Sequence, residues 1–341
     1  MNASSLPAHF LSLPKAELHL HLEGSIEPAT VCALAARHGE RLSEEEARRR
    51  YIYAGFAEFI EAFKWVTSYL SEPQDYALIT RELAERLLQQ NVIYAEVTLS
   101  IGVMHLRRQK PEVNFEAICR ANEGIRRKGL RLQWIFDAVR QFGAGAAMEV
   151  ARIAPQYRKE GVVAFGIGGD ELSLPTAEFR AVYDYAAEHG LHCLIHAGET
   201  GGPELVREAL ELLGAERIGH GIAAMHDPAL QDLLAERRIP LEVCPTSNLC
   251  TGALARQLAR DTAQITEHPL PALLRHGVPV VLSTDDPAMF HTTLLAEYAH
   301  TAAMGLTEKE RERLVALSFE HAFLSGEEKR ALASGRRAGS P

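Results

Sequence analysis

The sequence has no surplus of basic residues. Lys and Arg total 36 against 45 Asp and Glu, a formal net charge of −9, so nothing here meets a phosphate backbone electrostatically and a nucleic-acid partner is not expected. No apolar run is long enough to cross a bilayer, so no membrane partner is expected either. Cysteine is sparse. Cys32, Cys119, Cys193, Cys244 and Cys250 are scattered, odd in number and without a C-x-x-C pair, which argues against a disulfide framework and for a reducing compartment. Met1 leads into Ser, Pro and Ala rather than a charged-then-apolar stretch, and the expected location is the cytoplasm. No G-x-G-x-x-G follows the first strand-like segment, which removes the usual support for a dinucleotide-binding sheet. Gly143–Gly145 reads as a loop or helix start.

What is present is a large soluble core: hydrophobic residues make up 47% and charged residues 24% of 341, enough for one large domain over residues 1–341. Short aliphatic runs recur at Ala16–Leu22, Val92–Leu99, Leu132–Ala138, Val162–Ile167, His192–His196, Arg217–His220, Leu241–Cys244 and Val278–Ser283. They lack clean alternation, as strands buried on both faces of a parallel sheet do. Amphipathic stretches such as Tyr76–Gln90, Phe115–Arg127, Ala177–His189 and Glu204–Leu213 separate them. Eight strands, each followed by a helix, predict a TIM (β/α)8 barrel.

Two segments depart from the alternation. Residues 40–73, between the first two strands, carry Phe56, Phe59 and Phe63 at helical spacing, which predicts a helical, partly mobile aromatic lid. After the last strand, His291–Met304 and Thr307–Phe323 read as extra closing helices, and residues 325–341 as a frayed tail.

The strand ends collect the chemistry. His19 and His21 are two apart on a strand and share a face, so both can chelate one divalent metal. By themselves they are a weak signal. The fifth strand adds His196 and, three residues on, Glu199. The sixth adds His220, and the eighth adds Asp285 and Asp286. In a barrel, catalytic groups come from the C-terminal ends of several strands. His19, His21, His196 and Asp285 make an N₃O shell for zinc, whose role is to lower the pKa of water toward neutrality. Glu199 is placed to shuttle protons without binding the metal, and His220 to steady the attacking oxygen. The glycines of Ile167-Gly168-Gly169-Asp170-Glu171 let backbone amides approach a planar ligand.

Each residue also has an ordinary reading. His220 is as readily a core histidine, Asp285-Asp286-Pro287 a turn, Gly168-Gly169 a turn, and Glu199 a helix cap. His268, like His9, His38, His105, His226 and His291, has no such context and reads as a surface or core residue. Cys244 reads as packing, because no base accompanies it. A metallohydrolase acting on another amine, amide or phosphoester is a competing reading, as is a binding protein that kept the fold. Agreement among four strand ends weighs against the ordinary set.

Taken together, Pro14–Ser25, His196-Ala197-Gly198-Glu199, Arg217–Gly221 and Ser283–Pro287 resemble the adenosine deaminase family of zinc aminohydrolases. The resemblance runs from about residue 13 to 324. It implies one zinc on His19, His21, His196 and Asp285, Glu199 as proton donor, His220 beside the attacking oxygen, and Gly169 and Asp286 against the purine. The implied reaction is hydrolytic deamination of a 6-aminopurine nucleoside, a small-molecule substrate, to the 6-oxo product and ammonia. One departure bears on the substrate: the family carries Asp where this chain has Glu23, at a position that addresses the sugar. Glu there resembles deaminases of adenine or of 5′-substituted adenine nucleosides such as aminodeoxyfutalosine.

Overall fold

A computed structural model describes residues 6–333 of the chain. Eight parallel strands, β1 (Lys15–His21), β2 (Val92–Leu99), β3 (Arg131–Val139), β4 (Val162–Gly168), β5 (His192–Ala197), β6 (Arg217–His220), β7 (Leu241–Val243) and β8 (Val280–Leu282), pair in sequence order. β1 and β2 are buried at every position. A strand covered by helices outside and side chains inside has no solvent face, which is why the runs do not alternate. This is the (β/α)₈ barrel. The expected strands all form, with ends shifted by at most two residues.

The barrel closes through its functional residues. Beyond the end of β8, Leu20 bridges Asp285: Asp285 N–H donates to His19 O (3.0 Å), and His21 N–H donates to Asp285 O (2.8 Å). The seam that closes the barrel therefore also sets His19, His21 and Asp285 against one another.

Residues 40–73 contain the helices Glu44–Arg50 and Phe56–Ser68. The first has Ser43 as cap, with its side chain accepting from Glu46 N–H and Glu46 returning the bond, and this capping box stops the helix fraying. The second lays Phe59 on Phe290, ring centroids 4.9 Å apart, so packing draws the insertion over the barrel mouth. Closing helices form at Leu294–Ala303 and Glu308–Glu320. The tail differs from expectation. Residues 326–333 form a further helix, held because Glu328 pairs with Arg131 at 2.6 Å and Lys329 donates to Glu320 O at 2.7 Å; residues 334–341 lie outside the described residues. All five cysteines are free. No helix among the described residues is long and apolar enough to cross a membrane.

Candidate active site

The C-terminal ends of the strands open into a cavity of about 590 Å³. Its floor is lined by His21, Asp137, His196, Glu199, His220, Asp285 and Asp286, with Gly168 and Gly169 on one wall. Phe56, Phe59, Ile60 and Phe63 of the insertion line the outer wall, so the predicted lid residues are in place.

His19, His196 and His220 are each aimed by a partner behind them. His19 Nδ1 lies 2.7 Å from Glu242 Oε2, and a carboxylate only accepts, so Nδ1 carries a proton and Nε2 is the nitrogen left to face a metal. His19 Nε2 is buried with no hydrogen-bond partner among the described residues. His196 Nδ1 donates to Ile167 O at 3.2 Å, which likewise bares its Nε2. Asp285 Oδ1 sits 3.4 Å from His19 Nε2 and 3.3 Å from His21 Nε2. Its Oδ2 accepts from Ser247 Oγ at 2.7 Å. Bare, convergent imidazole nitrogens beside a tethered carboxylate are the donor set a divalent ion such as zinc takes, and outer carboxylate or carbonyl partners complete it. One detail goes beyond the sequence. One group with candidate ligand atoms within 4.8 Å of one another is His19, His196, His220 and Asp285, while His21 falls in an overlapping group with Asp285 and Asp286.

Two residues of this cluster sit in left-handed backbone, His220 at φ 60° and Asp285 at φ 67°. Non-glycine residues there are strained by about 1–3 kcal/mol each, a cost usually met where geometry matters to function. Gly24 answers a different constraint: a Cβ on it would overlap the Asp286 carboxylate.

Glu199 lies 3.7 Å from His220 Nε2 and accepts from Thr251 Oγ1 at 3.3 Å. Burial, with the nearby carboxylates of Asp285 and Glu171, pushes its pKa up to about 8. The turn that carries it is pinned by Glu171, which accepts from Gly198 N–H and Gly201 N–H at 2.6 Å each and from Thr200. Glu23 is buried, with Oε1 accepting from Ser100 N–H at 3.1 Å and Oε2 without a hydrogen-bond partner among the described residues. Asp286 Oδ1 is similarly unpartnered.

Sequence reading missed the supports. Glu242 and Ser247 show no motif, and Glu171 appears only as the end of the Ile167–Glu171 run, since each acts through a contact far along the chain. A carboxylate or serine at a strand end was the only available signal. His268 was read as a residue without context, yet it lies behind Asn248, whose amide meets His220. Cys244 is buried packing, as expected.

Against this geometry the relatives are informative. The family model for adenosine deaminase matches residues 14–337. The chain belongs to the adenosine deaminase family. It is 41% identical over 336 residues to an aminodeoxyfutalosine deaminase of Streptomyces coelicolor, covering 96% of this chain and 84% of the relative. It is 35% identical over 318 residues to an adenine deaminase of Agrobacterium fabrum, covering 92% and 94%. In structure it is similar to an amidohydrolase of Burkholderia ambifaria with bound Zn, at TM-score 0.87 and 26% identity over 96% of this chain and 91% of that one. Family members share the barrel that this chain forms.

Proposed function

We propose that this deaminase-family protein is a zinc-dependent purine nucleoside aminohydrolase: water replaces the 6-amino group of the purine, giving the 6-oxo product and ammonia. The observation that supports it most directly is Glu199. It is a buried carboxyl three residues after His196, outside the metal-facing set yet in the same cavity. A group held protonated to about pH 8 is matched to donating a proton at neutral pH.

In this reading His19, His21, His196 and Asp285 would hold zinc. When bound, zinc supplies a water whose pKa is lowered toward neutrality. The chain's own residues do the rest. Glu199 hands its proton to ring N1, which makes C6 electrophilic; the carboxylate left behind takes the proton of the added oxygen and passes it to the amine, which departs as ammonia while the C6–oxygen bond becomes the 6-oxo group. Gly169, at φ +96°, brings its backbone beside the ring, and Asp286 contacts the opposite edge. Glu23, with one oxygen committed to Ser100 and the other open, meets a polar group of the sugar. The aromatic insertion excludes water from the cavity.

A second reading, a 5′-substituted adenine nucleoside, is favoured by the apolar outer wall of Phe56, Phe59, Phe63 and Leu106, and it accords with the name of the Streptomyces relative. A spectrophotometric screen over adenosine, deoxyadenosine, methylthioadenosine, aminodeoxyfutalosine and adenine tests both. Nucleosides are expected to exceed adenine in kcat/KM by about 100-fold or more, as when a site's polar groups lose their partners. Adenine as the best substrate would overturn the nucleoside assignment.

A further inference from the structure

His220 stands among the metal-facing groups by distance, yet a chain of hydrogen bonds behind it assigns it a different part. The chain begins at a backbone amide. Leu270 N–H donates to His268 Nδ1 at 3.1 Å. An amide hydrogen has only one position, so His268 Nδ1 is the bare nitrogen. His268 is buried, and burial with the nearby His220 pulls its pKa down to about 3, so it is neutral and its proton lies on Nε2. That Nε2 is 3.2 Å from Asn248 Oδ1 and donates to it. This settles which way the Asn248 amide faces. Asn248 Nδ2 then donates to His220 Nδ1 at 3.1 Å. His220 Nδ1 accepts, so the His220 proton must sit on Nε2, the nitrogen that faces Glu199 Oε2 at 3.7 Å and Asp285 Oδ2 at 3.9 Å.

The contrast with His19 and His196 is chemical. Those two give their Nδ1 protons to Glu242 and Ile167 and turn bare nitrogens inward. A bare nitrogen ligates a metal and an N–H does not. His220 turns an N–H inward. Three neighbouring imidazoles thus hold two different tautomers, and in each case the outer partner decides which. All three members of the relay, His220, Asn248 and His268, are at least 97% buried, so water does not compete for these bonds.

We propose that Asn248 and His268 are positioning residues that hold His220 as its Nε2–H tautomer, which keeps it out of the metal shell and makes it a hydrogen-bond donor to the attacking oxygen. The role of that donor rests on the deaminase reading above. The tautomer itself does not. It also accounts for a ligand set that takes His21 rather than His220.

The test combines spectroscopy with kinetics. In zinc-loaded protein labelled with ¹⁵N-histidine, two-bond ¹H–¹⁵N spectra should show His220 protonated on Nε2, with the signal assigned by its loss in His220→Asn. Asn248→Asp still accepts from His268 but requires a proton from His220 Nδ1, so the tautomer should invert. kcat should then fall about 100-fold or more, as on removing a preorganised donor, with KM and zinc content little changed. His268→Gln keeps a donor at the Nε2 position and should preserve the tautomer and most of kcat, whereas His268→Leu should not. A wild-type His220 protonated on Nδ1 would overturn the proposal without recourse to any variant. Wild-type kcat in Asn248→Asp would overturn it as well. Failure of the deaminase reading shows separately, as wild-type protein that releases no ammonia from any purine while the tautomer measurement stands.

Discussion

The lower lumen of the barrel and its upper rim both bury charge, and they bury it differently. Below the site, Arg217 contacts Glu242 Oε1 and Glu96 Oε2 at 2.6 Å each, ionic contacts rather than aligned hydrogen bonds. Tyr94 donates to Glu96 at 2.7 Å, and Phe323 N–H does so at 2.6 Å. Arg217 also donates to His321 O at 3.0 Å and lies over the Phe323 ring. Both carboxylates there share the one guanidinium. At the rim, Asp137, Glu199, Asp285 and Asp286 line the cavity with Glu23 buried close by, and the ion pairs of Asp285 and Glu199 are with histidines only, although Lys64 and Arg107 line the same cavity farther out. Burial without counter-charge is expensive for a carboxylate, and it pushes Glu23, Asp137, Glu199 and Asp286 up toward their neutral forms. The paired lower network acts as scaffold, aiming His19 through Glu242, while the rim presents the donor set that the proposed metal and substrate would complete.

That contrast can be broken at several points. Removing the rim carboxylate proposed to meet the metal has the largest expected consequence: Asp285→Ala should purify without zinc and without measurable turnover, and full zinc content by elemental analysis would contradict its proposed place in the shell. Glu199→Gln should retain zinc but lose about 10²–10⁴ in kcat, the range for a positioned acid–base group; near-normal turnover would remove it from proton transfer. In the scaffold, Arg217→Met strands two buried carboxylates, and urea unfolding should show a loss of about 3–5 kcal/mol. An unchanged unfolding midpoint would mean the lower charges are not coupled as their distances indicate.

Two finer effects sharpen the picture. Glu199 has its pKa raised to about 8, so the acid form dominates below that pH and is lost above it. kcat should therefore hold through neutrality and fall by about tenfold per unit on the alkaline side, and a flat profile to pH 10 would exclude Glu199 as the acid. Glu23→Asp should change the rate ratio of adenosine to a 5′-substituted analogue by about tenfold, the scale of one methylene in a pocket. A constant ratio would free Glu23 from any role at the sugar.

The strand count, the strand order and the rim residues were legible because each is local. An eight-fold strand–helix alternation names the barrel, and chemistry at a barrel strand's C-terminal end names the rim. The tail helix at residues 326–333 was not legible: its composition is that of a solvated end, and a pair with Arg131, 197 residues away, holds it. His268 was illegible for the same reason.

By itself the sequence determined the fold, the face on which chemistry occurs and the residue types available to a metal. Periodicity and strand-end position are properties of neighbouring residues, so they survive in one dimension. The tertiary structure alone decided which nitrogen of each imidazole is bare. That choice is made by an acceptor or donor behind the ring, supplied by Glu242, Ile167 or Asn248 from other strands and loops, and a histidine's place in the chain carries no record of it.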